Sequence, residues 1–142
     1  MVIRQMEEKD VPYVHEIEGR IFSRPWSKED FRKSIQDPHN IYLVVEQDGE
    51  IIAYCGLWGV AGEGQINNVA VESSYRNRGI GRKMLQSLID IGRNNGLKSF
   101  TLEVRVSNLS AIALYHRLGF QAAGIRKSFY EAPKEDALIM WL

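Results

Sequence analysis

The chain has 142 residues, of which 44% are hydrophobic and 25% charged, enough for one globular domain that needs no disulfide or metal staple. Eighteen Lys and Arg balance eighteen Asp and Glu, and the zero net charge argues against a general nucleic-acid binder, which carries a basic excess.

Strand and helix patterns alternate along the chain. Val2 to Gln5 reads as a short strand. Glu7 to Phe22 predicts a helix, because Val11, Val14, Ile17, Glu18 and Ile21 recur mostly at helical spacing. Its acidic start, Glu7-Glu8-Lys9-Asp10, suits a helix N-terminus. Ser27 predicts the N-cap of a second helix with acids in its first turn, ending near Gln36 before Asp37-Pro38. Ile41 to Glu46 and Ile51 to Val60 predict two strands joined at the Asp48-Gly49 turn, and Gln65 to Val71 a third. Gly79 to Asn95 carries one apolar stripe, Ile80, Met84, Leu88 and Ile91, with Gly96 placed to cap its end. Ser99 to Val106 alternates as a strand. Asn108 then caps a helix with Ala111, Leu114, Tyr115 and Leu118 at i, i+3, i+4 and i+7. Phe120 to Ile125 and Ala137 to Trp141 predict the last strands. The order β-α-α-β-β-β-α-β-α-β-β means an α/β (α+β) domain over residues 1–142. Its mixed, mostly antiparallel sheet has about six to seven strands, with about four helices. Four scattered prolines and no biased segment leave no linker.

The segment Val69 to Arg82 holds most of the chemistry. A strand ends, a polar loop follows, and Gly79-Ile80-Gly81 opens a helix. Free backbone N–H groups at a positive helix end favour a phosphate or pyrophosphate. Arg78, Arg82 and Lys83 oppose the helix dipole at about 0.3–1 kcal/mol each, which makes sense if an anion sits beside them. A solvated basic turn is the equally weighted alternative. A P-loop lacks its Ser or Thr after Lys83, and a dinucleotide fingerprint has Met84 where its third glycine belongs.

Arg76-Asn77-Arg78-Gly79-Ile80-Gly81 resembles the R/Q-x-x-G-x-G/A acetyl-CoA pyrophosphate motif of the GCN5-related N-acetyltransferases (GNAT). Leu102-Glu103-Val104-Arg105-Val106-Ser107-Asn108, Ala111 to Tyr115 and Leu118-Gly119-Phe120 resemble the bacterial ribosomal-protein-alanine (RimI-type) members. Pro25-Trp26-Ser27 and the ending Asp136 to Met140 resemble that subfamily too.

The resemblance implies a GNAT domain that transfers acetyl from acetyl-CoA, as co-substrate and without a metal, to a protein's N-terminal α-amino group. The implied acceptor is the N-terminal alanine of ribosomal small-subunit protein eighteen. Glu103 matches the general base, which acts directly or through water; otherwise it is an ordinary salt-bridged Glu, with Arg105 on the same face. Tyr115 matches the general acid toward the thiolate, although it also sits in an apolar stripe. Val69, Ala70 and Val71 match the strand whose backbone pairs with the pantetheine arm and polarises the acetyl carbonyl. Arg76, Asn77, Arg78, Gly79, Ile80, Gly81 and Arg82 match the pyrophosphate loop, and Asn108 a cofactor contact. Trp26 and Tyr130 are candidates for the acceptor groove, with core packing as the alternative. Phe22 is better explained by packing. Two adjacent tyrosines are common near Arg126 in the family; here the pair is Phe129-Tyr130, which puts peptide choice in question. The rivals are a GNAT enzyme acting on a small amine or lysine side chain, and a non-catalytic acetyl-CoA-binding module.

His15, His39 and His116 lack metal-ligand spacing. The lone Cys55 predicts a small core residue rather than a nucleophile. No apolar signal region opens the sequence, and no apolar run approaches the about 20 residues needed to span a membrane. The expected location is the cytoplasm, with no direct nucleic-acid or membrane partner.

Overall fold

The computed structural model describes residues 1–142. Seven strands form one sheet in the spatial order β1-β2-β3-β4-β5-β7-β6. They are β1 Val2–Gln5, β2 Asn40–Gln47, β3 Glu50–Val60, β4 Glu63–Val71, β5 Ser99–Arg105, β6 Gln121–Tyr130 and β7 Glu135–Trp141. The helices are α1 Val11–Ile21, α2 Lys28–Gln36, α3 Ile80–Asn94 and α4 Leu109–Arg117. Every pairing is antiparallel except β4 with β5. No helix is long and apolar enough to cross a membrane.

Strand alternation divides the core between the two sheet faces. One apolar cluster joins Leu43, Cys55, Leu57, Phe100 and Leu102 to the α3 stripe Met84, Leu85, Leu88 and Ile89. Tyr115 of α4 and Phe120 close it. The second cluster sets Val11, Val14 and Ile17 of α1 and Phe31 of α2 against Tyr42, Val44, Tyr54 and Ala70. Ile91, expected in the α3 stripe, is exposed, and Leu85 and Ile89 complete the buried face.

Helix boundaries follow local capping chemistry. Ser27 accepts the Asp30 N–H while Asp30 accepts the Ser27 N–H, so α2 starts where expected. The Asn108 side chain caps α4 through the Ala111 N–H. Gly96, at φ +91°, turns the chain after α3, and the Leu97 N–H bonds the Gly92 carbonyl. The helix expected from Glu7 begins later: Glu8–Asp10 is a 3-10 turn, and α1 starts at Val11. Pro12 lacks an N–H and suits a first helical turn. The buried Asp10 carboxylate accepts the Glu7 N–H and both ends of the Arg4 guanidinium at 2.8 Å.

The other correction is β6, which runs to Tyr130 rather than stopping near Ile125. It is an edge strand exposed over most of its length, so its ladder with β7 needs no apolar alternation. A register shift between Arg126 and Tyr130 breaks the period further.

Candidate active site

The site begins where two strands part. β4 and β5 pair only from Glu63↔Ser99 to Ile66↔Leu102. Beyond that point β4 stays with β3, and β5 stays with β7. A register shift in β4, where Gly56 faces Asn68 and Leu57 faces Ile66, leaves Asn67 as an extra residue at the fork. The β4 edge that turns away from β3 over Val69, Ala70 and Val71 therefore has no strand partner.

An open cleft of about 1150 Å³ lies along the β4 side of the fork, bounded by the starts of α3 and α4. Val69, Ala70 and Val71 line it, with Tyr115 and Asn108 on the α4 side. Arg76, Asn77, Gly79, Ile80, Gly81 and Arg82 line its end at the start of α3. Asn77 and Gly79 are left-handed, at φ 62° and φ 77°, and no side chain caps α3. Its first N–H groups are thus free for an anion. Gly79 serves the turn conformation, whereas Gly81 serves packing. A Cβ at Gly81 would meet Leu114 Cδ2 at 3.3 Å.

Three of the cleft's arginines are not used in ion pairs. Arg76, Arg82 and Arg117 have no carboxylate within salt-bridge distance. Arg20, which also lines the cleft, is paired with Glu72, and Arg4, Arg105 and Arg126 have carboxylate partners elsewhere in the molecule. Arg76 donates from Nε to the Val71 carbonyl at 3.1 Å. Arg78 is exposed and does not line the cleft itself, but it stacks 5.3 Å from the ring centroid of Tyr75, which does.

Glu103 sits on β5 just past the fork, mostly shielded. Its expected partner, Arg105, turns elsewhere. Arg126 of β6 reaches Glu103 instead, Nη1 to Oε1 3.4 Å. The register explains this, because Arg105, Ala137 and Arg126 form one row across β5, β7 and β6. Small Ala137 lets the Arg126 side chain pass over β7 toward Glu103.

Tyr115 is 7% exposed, and its ring packs against Phe120 at 6.0 Å. Burial raises its phenol above the usual value, with Tyr130 and Cys55 adding to the rise. Burial also raises Tyr130, reinforced by Glu103 and Glu135 and opposed by Arg105. Tyr115 lines the cleft, whereas Glu103, Tyr130 and Trp26 do not. The Trp26 ring packs on Phe31 at 5.3 Å and on Tyr42 at 6.4 Å, in the apolar cluster under α1 and α2.

A model of the acetyltransferase (GNAT) family matches residues 11–120. The chain belongs to the GNAT family. A putative ribosomal protein bS18-alanine N-acetyltransferase of Bacillus subtilis is 40% identical over 141 residues, which is 99% of this chain and 93% of the relative. The ribosomal protein bS18-alanine N-acetyltransferase of Escherichia coli K12 is 37% identical over 142 residues, 99% of this chain and 95% of the relative. The crystal structure of the E. coli enzyme superposes with a TM-score of 0.91 at 37% identity, covering 99% of this chain and 92% of that one.

Sequence reasoning missed several residues of this GNAT cleft. Arg117 lines it from the end of α4, together with Ser110, Ala111 and Leu114. Helical spacing alone did not signal Arg117, which lies nine residues from Asn108 and about half a turn out of phase with it. Arg20 and Ile21, at the end of α1, could not be found this way. Packing of α1 on the sheet brings them there, and Arg20 pairs with Glu72 just past the end of β4, Nη2 to Oε2 2.5 Å.

Proposed function

We propose that this GNAT protein is a cytoplasmic N-terminal acetyltransferase that uses acetyl-CoA, without a metal, to modify the N-terminal alanine of ribosomal protein bS18. What carries the donor half is the cleft at the fork: unpaired arginines gather at an uncapped, glycine-opened helix start beside an unpartnered strand edge. That chemistry suits a polyanion with an extended amide-bearing arm. Full-length identity of 37–40% with the bS18-alanine enzymes supports the acceptor half.

In this reading the free N–H groups of α3 and the side chains of Arg76, Arg82 and Arg117 hold the pyrophosphate end. Asn77, Arg78, Gly79, Ile80, Gly81 and Asn108 shape or contact that end, with Arg78 acting from outside the cleft lining. The free edge of Val69 to Val71 pairs with the pantetheine arm, and a backbone N–H there polarises the acetyl carbonyl. Glu103 takes a proton from the α-ammonium, directly or through one water. An α-amino group has an ordinary pKa of about 7.7–8.0, so a modest base suffices. As the N–C bond forms and the C–S bond breaks, Tyr115 donates its proton to the leaving thiolate and regains one from the second proton that the new amide nitrogen releases. The phenol is protonated at neutral pH, and burial strengthens its hold on that proton. Tyr130, whose ring lies under the Arg105 guanidinium at the end of β5, contacts the incoming peptide end. Trp26 supports the α1–α2 connection, its backbone N–H donating to the buried Glu18 carboxyl at 2.9 Å.

The test is acetylation of a bS18 N-terminal peptide by the purified protein with acetyl-CoA, followed by coenzyme A release and peptide mass. The free peptide gains one acetyl group, and a copy blocked at its N-terminus gains none. Turnover on polyamines or lysine side chains alone would replace the acceptor assignment. Acetyl-CoA binding without any turnover would leave only a binding module.

A further inference from the structure

The turn between β6 and β7 has no ladder of its own, yet it follows directly on Tyr130. One side chain holds it. Arg105 Nη1 donates to the Pro133 carbonyl at 2.9 Å and to Glu135 Oε1 at 3.2 Å. Its Nη2 donates to the Glu131 carbonyl at 3.1 Å. The guanidinium also lies over the Tyr130 ring, 4.4 Å from the centroid. Glu135 is fixed in turn, because its other oxygen accepts the Ser107 N–H at 2.8 Å. Residues 130, 131, 133 and 135 are all tied to the end of β5, two residues from Glu103.

We propose that Arg105 is a positioning residue for the acceptor, clamping the β6–β7 turn and the Tyr130 ring to the end of β5, the strand that carries Glu103. The proposal rests on the acceptor reading above for what Tyr130 does. The arrangement requires arginine. A planar fork can bond two carbonyls and a carboxylate in its plane while its face covers an aromatic ring. A lysine ammonium has three donors around a point and no face to stack. The clamp also explains why Glu103 is not Arg105's partner: both terminal nitrogens of Arg105 are engaged by the turn. The Glu103 carboxylate is left to Arg126, whose side chain is 55% exposed and able to yield to an arriving ammonium.

The experiment compares Arg105→Met and Arg105→Lys with the parent chain, alone and in a Tyr130→Ala background, with thermal melting as a check on folding. The expected result is a KM for the acceptor peptide raised about tenfold or more in Arg105→Met. KM for acetyl-CoA stays within twofold. Arg105→Lys recovers little, because it restores charge without the fork. In the Tyr130→Ala background the Arg105→Met effect on peptide KM shrinks to within twofold, since the group to be positioned is gone. An equal rise in both KM values, or an undiminished effect without Tyr130, overturns the proposal. Should Arg105→Met not fold, the same comparison is read from Arg105→Lys. If the parent chain acetylates no peptide, the function reading fails separately. The clamp is then judged by amide exchange over residues 130–135: faster exchange in Arg105→Lys supports it, and unchanged exchange overturns it.

Discussion

Tyr115→Phe separates chemistry from packing in a single atom. The ring is buried and packs on Phe120 at 6.0 Å, and phenylalanine keeps both features. Losing a hydroxyl of this kind costs the fold about 1 kcal/mol at most, a shift of about 4 °C in melting temperature. A proton donor in the transition state contributes about 10²–10⁴ in rate, or about 2.7–5.5 kcal/mol. The two magnitudes are far enough apart to be told from each other. The expected result is kcat lowered at least a hundredfold, with acetyl-CoA affinity by calorimetry within about threefold and melting little changed. The pH profile supplies an independent check. Because burial raises the phenol, kcat in the parent chain should show no alkaline decline from this group below about pH 10. A Tyr115→Phe variant with kcat within threefold of the parent refutes the acid role. A large drop in both melting temperature and donor affinity would instead make Tyr115 a packing residue.

Glu103→Gln should lower kcat by a similar factor while leaving melting within about 1 kcal/mol, since its one partner, Arg126, is half exposed; unchanged kcat removes the base. Arg117→Gln and Arg82→Gln should each raise KM for acetyl-CoA several-fold without changing KM for the peptide. Added salt should weaken donor binding in the parent chain, and a salt-independent KM contradicts the anion reading. Gly79→Ala places a Cβ at φ 77°, which costs about 1–2 kcal/mol and disturbs the anion turn, so both melting temperature and donor affinity should fall. Burial raises Cys55 and Tyr54 in the folded protein, and Glu18 adds to the rise at Tyr54. The unfolded chain releases these protons at ordinary values, about 8.5 and 10. The stability that these groups contribute is present below those values and is lost as pH climbs past them. Urea midpoints should fall between about pH 8 and pH 10.5, with the earlier part of the fall reduced in Cys55→Ala.

Much of this was already written along the chain. Periodicity and caps set the element order, because helix and strand burial repeat at fixed intervals and Ser27, Asn108 and Gly96 act within a few residues of themselves. The motif from Arg76 to Gly81 was readable for the same reason: a helix start, its glycines and its cations are local. The resemblance named Glu103 and Tyr115, whose suggested roles neither residue's own strand or helix pattern carries.

What only the folded structure decided was partnership across distance. Residues two apart on β5 share a face, so Arg105 looked like the companion of Glu103. The β5-β7-β6 register instead gave Glu103 to Arg126 and sent Arg105 to the Tyr130 turn. The packing of Trp26 on Phe31 and on Tyr42 of β2 was likewise settled only by the fold. Edge strand β6 hid its last residues because exposed strands need no apolar period. Local sequence determines which elements form and where an anion can rest. Which charged side chains meet depends on strand order and register, and these are set by the packing of the whole sheet.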